Sequence, residues 1–188
     1  RTQTNYITVT LAAAPLVTGP VAMPAVIPTD TDGSPGTGET TVLSVTVTGA
    51  NVASVTVNLM AIGGSTAAAM TDAGDGTRTA STAATIASPF ADGAYQPVNL
   101  VVNATNTDGA SNTTVTIPLT VVKNGDANED NRVSLYDAVY TARHTLGMEG
   151  YPMTESVGEV SGDSELSLHD AMYLAKHVLA IPGYEQLH

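Results

Sequence analysis

Residues 126–137 read DANEDNRVSLYD and carry side-chain oxygen at places 1, 3, 5, 9 and 12, as Asp126, Asn128, Asp130, Ser134 and Asp137. A calcium ion takes about six to eight oxygens, and a twelve-residue loop supplies them from these places together with a main-chain carbonyl at place 7. Arg132 stands there and offers its carbonyl. Place 6, where such a loop turns with positive φ and Gly is usual, holds Asn131, the next most tolerant residue.

The phrase returns 33 positions later as EVSGDSELSLHD, residues 159–170. Aligned without gaps, residues 126–147 and 159–180 share nine of 22 residues, too many for an accidental offset. Glu159, Ser161, Asp163, Glu165 through its carbonyl, Ser167 and Asp170 take the places of the first set. A longer acid at place 1, a neutral hydroxyl at place 3 and Ser164 at place 6 weaken the fit, so two Ca2+ sites are expected, the first stronger.

Each phrase opens an amphipathic stretch, SLYDAVYTARHTLG and SLHDAMYLAKHVLA, whose apolar residues recur at three- and four-residue spacing. Both read as helices of about three turns with Ser or Asp at the start. Place 12 is Asp in both loops, unlike the Glu of ordinary EF-hands, and residues 112–123 ahead of the first loop read as a strand. Loop then helix, twice, with the DxNxD spacing, Ser-Leu-x-Asp-Ala and the basic Arg143 and Lys176 at matching places, resembles the dockerin module over residues 124–188. The resemblance implies calcium binding and docking onto a cohesin module through places 10 and 11 of each loop and the helix after it. Those places hold Leu135-Tyr136 and Leu168-His169, not the Ser-Thr pair common in cellulosome dockerins, so calcium carries over better than the cohesin partner.

The rest of the chain must position this unit. With 188 residues and 43% apolar content the chain can build a packed core, mostly from Val, Ala, Ile and Leu. From residue 41 the pattern has period two in TTVLSVTVTG, VASVTVNLM, QPVNLVVNAT and SNTTVTIPLTVV, with turns every ten or so residues, which predicts an antiparallel β-sandwich. Residues 64–87 read as two edge strands, and the Pro-rich 21–40 as an entry strand at 25–27 plus loop. Residues 27–122, from IPTDTDG to VNATNTDGASNTTVTIPLTV, resemble immunoglobulin-like repeats of archaeal surface proteins. The expected organisation is an N-terminal strand and connector at 1–20, an immunoglobulin-like β-sandwich at 21–123 and a small α-helical dockerin-like module at 124–188, a mainly β chain. TNYITVTL at 4–11 alternates as well as any strand of the sandwich but is set apart from it.

Charge and composition remove other classes. The net charge is −12 with six basic residues that never cluster, so nucleic acid and anionic lipid are poor partners. Residues 124–188 alone hold eleven acids against three Lys/Arg. The chain has no Cys, so thiolate metal sites and disulfides are excluded, and no apolar run is long enough for a membrane span. Residues 1–20 lack the layout of a signal peptide, so in a secreted protein Arg1 stands near a processed terminus.

His144 and His177 match by repeat symmetry and read as packing positions rather than a transition-metal pair. Ser167, His169 and Asp170 evoke a triad but crowd one loop-to-helix junction without an oxyanion motif. Asp30, Asp32 and Glu39 form an acidic loop, and Asp72, Asp75 and Asp108 are turn residues. Asn103-Ala-Thr and Asn112-Thr-Thr are acceptor sequons for N-glycans. With no Trp and a lone Phe90, a carbohydrate-stacking platform is not expected.

The sequence therefore predicts a non-catalytic calcium-binding structural protein of a prokaryotic surface or extracellular space. Its partner is either copies of itself, through strand addition by 4–11 that yields a filament, or a cohesin-like module.

Overall fold

The computed structural model describes residues 12–36, 38–85, 90–91, 93–94 and 96–188. The segment 4–11, the alternating strand candidate, lies outside them, as do parts of the turn expected at 88–95. The chain is mainly β. In chain order the strands are β1 (Leu16–Met23), β2 (Val26–Pro28), β3 (Thr40–Thr48), β4 (Val52–Val57) and β5 (Ala68–Ala69). They continue with β6 (Thr71–Asp72), β7 (Thr77–Ala83), β8 (Val98–Asn106), β9 (Ser111–Asn112) and β10 (Thr116–Val122). The helices are α1 (Leu135–Thr145), the single turn α2 (Glu155–Gly158) and α3 (Leu168–Val178).

Among the described residues the strands form two sheets, ordered β1-β3-β7-β6 and β2-β10-β8-β4-β5, with β9 added beside β8. All pairs between named strands are antiparallel except β2 with β10. The alternation predicts which face is buried. In β3, Thr41, Leu43, Val45 and Val47 point inward between exposed or half-buried neighbours, and in β8 Val98, Leu100, Val102 and Ala104 do the same. Inward residues of both sheets join one apolar cluster with Val57, Ile62, Ile117 and Leu119. Each fully buried Val, Leu or Ile contributes about 1.5–3 kcal/mol.

Of the three prolines within strands, Pro28 ends β2 and the other two are accommodated by position. In β1 the register slips between Thr18 and Val21, and Gly19 at φ 58 with Pro20 forms the bulge that absorbs the lost donor. In β10 the Val102 amide bonds the Val115 carbonyl on one side, and the Thr120 amide bonds the Ala25 carbonyl on the other. That parity turns Pro118 away from β8, and β2 pairs only with Thr120–Val122, so the missing donor falls on an edge.

Two sequence expectations change, and a third holds with a one-residue shift. The connector expected to run to residue 20 stops before Leu16, where the chain already pairs with β3 as part of β1; the bulge hides the alternation. The strand expected at 25–27 is Val26–Pro28 and does lie at a sheet edge. Of the two edge strands expected within 64–87, the main one, β7, is interior, flanked by β3 and β6, while β5 and β6 form the edges. Ala and Thr side chains are small enough to sit half-buried along β7 without an apolar signature.

The helical unit packs α1 against α3 around Ala138, Val160, Leu174 and Leu187, supported by Val133, Tyr173 and Val178. Gly125 makes the entry possible: its φ is +84, and a Cβ there would come within 2.9 Å of both Leu174 Cδ1 and Leu187 Cδ1. The unit does not hang from the sheets. Thr31 Oγ1 donates to the Leu187 carbonyl at 2.7 Å, Asn124 Nδ2 to the His188 carbonyl at 3.0 Å, and Gln186 Nε2 to the Thr31 carbonyl at 3.1 Å.

Candidate metal centre

Both acidic loops fold to the same backbone. Places 4 and 6 are left-handed in each: Glu129 at φ 59 and Asn131 at φ 67 in the first, Gly162 at φ 80 and Ser164 at φ 67 in the second. Most L-residues resist this region, and hydrogen bonds from loop amides to the acids compensate.

In the first loop Asp126 is 0% exposed. Its Oδ1 accepts from the Asp130 amide at 3.0 Å and its Oδ2 from the Asn131 amide at 2.7 Å. Asn128 Oδ1 also accepts from the Asp130 amide at 3.0 Å, and Asp130 Oδ1 from the Arg132 amide at 3.0 Å. Asp137, also 0% exposed, spans the loop: its Oδ1 accepts from the Asn128 amide at 3.3 Å and its Oδ2 from the Ser134 amide at 2.8 Å. Places 1, 3, 5, 9 and 12 are thereby tied into one turn, with Arg132 exposed on its outside.

The second loop repeats the bracing with longer reach. Glu159 Oε1 accepts from the Gly162 amide at 2.8 Å and the Asp163 amide at 3.2 Å. Asp163 Oδ1 accepts from the Glu165 amide at 3.0 Å, while Asp170 Oδ1 accepts from the Ser161 amide at 3.1 Å and its Oδ2 from the Ser167 amide at 2.8 Å. Asp170 is buried like Asp137, but Glu159 is only half-buried, and Asp163 and Glu165 are exposed.

Ser134 and Ser167 are the N-caps of α1 and α3, with Asp137 and Asp170 closing capping boxes from the third helical position. Each place-12 acid therefore serves the loop and the helix at once. His144 Nδ1 and His177 Nδ1 lie 2.8 Å from the carbonyls of Tyr151 and Tyr184, seven residues on, as packing residues would. Arg143 and Lys176 reach the hydroxyls of the same tyrosines and lie over their rings. The repeat thus runs past residue 147: Gly150-Tyr151 matches Gly183-Tyr184 at the same offset of 33, a signal present in the sequence beyond the aligned window. Ser167 Oγ caps α3 and His169 faces Asp163 Oδ2 at 3.6 Å, so these residues do not align as a triad.

Electrostatics make the first loop a costly place for charge. The Asp126 carboxyl is pushed up to about 7, first by burial and then by the charge of Asp137, and burial also raises Asp137. Among the described residues no group of three or more His, Cys, Asp or Glu stands ready to hold a metal ion. The acids are instead spent on loop amides. The donor set, carboxylate, amide, hydroxyl and carbonyl oxygen without nitrogen or sulfur, suits a hard cation such as calcium, and two repelling buried carboxylates are what such a cation would neutralise.

The sequons differ in setting. Asn103 faces outward from β8, whereas Asn112 Nδ2, which a glycan there would leave with a single N–H to share, donates to the Pro15 carbonyl at 3.0 Å. No helix among the described residues is long and apolar enough to cross a membrane. No protein-family model matches this chain, and no curated protein matches it either.

Proposed function

We propose that this chain is a non-catalytic, calcium-binding structural protein that works in assembly outside the cell. It would be an immunoglobulin-like sandwich carrying a dockerin-like module with two calcium loops. The observation that carries the reading is the doubled loop: two twelve-residue turns with the same left-handed places, the same bracing of the place-12 acid and the same capping box. An ordinary acidic helix start accounts for the capping box but not for the left-handed places or for the place-12 acid reaching back across the loop. Asp126, Asn128, Asp130, Ser134 and Asp137 with the Arg132 carbonyl would hold the first ion. Glu159, Ser161, Asp163, Ser167 and Asp170 with the Glu165 carbonyl would hold the second. The sandwich assignment draws support from the strand order, β1-β3-β7-β6 against β10-β8-β4, which follows the A-B-E-D and G-F-C order of immunoglobulin domains.

Calcium titration of the intact chain by calorimetry tests the core of the reading. Two binding events are expected, the tighter lost in Asp126→Ala and the weaker in Asp170→Ala; no heat in the wild type sinks it. Assembly through residues 4–11 is tested by removing residues 1–11 alone, because Val17 belongs to the sheet core and a deeper cut would unfold the acceptor. Concentration-dependent polymerisation lost on truncation supports strand addition, and a monodisperse wild type in calcium refutes it.

A second reading, docking onto a cohesin-like module, is favoured by one observation. Leu135, Val139 and Leu146 on the first repeat, and Leu168, Met172 and Leu179 on the second, are large apolar residues left exposed at matching places. Capture by cohesin modules in calcium but not in chelator, abolished by Leu135→Asp with Leu168→Asp, would support it.

A further inference from the structure

Asn131 does more than turn the first loop. The residue is 1% exposed, and its side chain leaves the helical unit altogether: the two Nδ2 hydrogens are shared among the carbonyls of Phe90, Ala91 and, at 2.9 Å, Ala94, all on the segment preceding β8. Its backbone faces the other way. The Asn131 amide donates to Asp126 Oδ2 at 2.7 Å, and its carbonyl accepts from Lys123 Nζ at 2.8 Å, just past the end of β10. One residue therefore touches the place-1 acid, the strand leading into the loop and a distant connection of the sheet unit. A glycine would satisfy the φ of 67 better and is the usual occupant of place 6. Asparagine gives up that ease and gains an anchor whose two N–H groups reach the carbonyls of the distant segment. The second loop reaches the same neighbour by another route: the His188 amide donates to the Val160 carbonyl at 3.1 Å, and the tail it ends is the one bonded to Thr31 and Asn124.

We propose, resting on the calcium reading of these loops, that Asn131 makes ion binding in the first loop the lock of the joint between the helical unit and the sheets. When the ion draws the Asp126 carboxylate into its ligand shell, the Asn131 backbone that hangs on that carboxylate is fixed. The side-chain amide is then held against the carbonyls of Phe90, Ala91 and Ala94. Without the ion, the turn is held by the Asp126 and Asp137 hydrogen bonds alone, and the anchor is held no more firmly than they are. The switched property is the angle between the two units, and so the stiffness of whatever the protein builds.

The absence of cysteine allows a clean test. Thr46→Cys on the exposed face of β3 and Glu149→Cys after α1 place one spin label on each unit. Their distance distribution is measured by pulsed electron resonance in calcium chloride and in chelator, with calcium titrated calorimetrically on the same samples. The wild type is expected to give a narrow distribution in calcium and a broad one in chelator. Asn131→Gly should keep two binding events yet stay broad in calcium, and Asn131→Asp, which keeps the turn tolerance but removes the donor amide, should behave alike. A distribution equally narrow in chelator, or glycine and aspartate variants that narrow with calcium as the wild type does, overturns the lock while leaving the calcium reading intact. Absence of calcium heat in the wild type overturns both.

Discussion

Asp126 concentrates the chemistry of this protein at the scale of one residue. It is wholly buried, and its carboxyl is pushed up to about 7 from a reference value of 3.8. A folded-state value above the unfolded one means that the folded form holds the extra proton between them. The ion-free protein is then expected to lose stability as pH rises from about 4 to about 7. Thermal unfolding in chelator across that window checks this, and Asp126→Asn should flatten the slope; stability rising with pH would contradict it. On the proposed reading, calcium would need the carboxylate, so its stabilising effect should grow over the same interval. The types and places of the loop oxygens were legible in the sequence because ligation depends on spacing along a short turn. The anchoring of Asn131 was not, since its partners Phe90, Ala91 and Ala94 lie about forty residues away.

At the scale of elements, the capping boxes and the packing of α1 on α3 set what holds when the ion is absent. Ser134→Ala or Ser167→Ala removes a cap and is expected to cost about 1 kcal/mol, read by denaturant unfolding in chelator. Leu174 is fully buried between the helices and the C-terminal tail, so Leu174→Ala should cost about 2–5 kcal/mol. A loss confined to the surface range of about 0.5 kcal/mol would place Leu174 outside a packed core. Both helices were legible from their three- and four-residue periodicity. β1 and β7 were misread for opposite reasons: a Gly-Pro bulge broke the alternation of a true strand, and small Ala and Thr side chains let an interior strand look like an edge.

At the scale of the molecule, the helical unit is braced to the sheets by the C-terminal tail and by Asn131, so ion binding in the loops should stabilise the whole chain. Free calcium at about a thousand times the dissociation constant adds about 4 kcal/mol to a form that binds while its unfolded state does not. Calorimetric melting in calcium and in chelator should therefore show the sheet unit shifting with the helical unit. A sheet transition indifferent to calcium would mean that the two units unfold independently.

The sequence by itself determined the local grammar: which residues alternate into strands, which recur into helices, and where a twelve-residue phrase offers oxygen at cation spacing. Each of these depends on neighbours within a few positions, where backbone geometry alone fixes who meets whom. Only the tertiary structure decided that Leu16 already belongs to the sheet, that β7 is interior, and that the place-6 asparagine reaches out of its own loop. Those outcomes depend on register and on long-range burial, where a buried amide takes whatever carbonyls the distant chain brings to it.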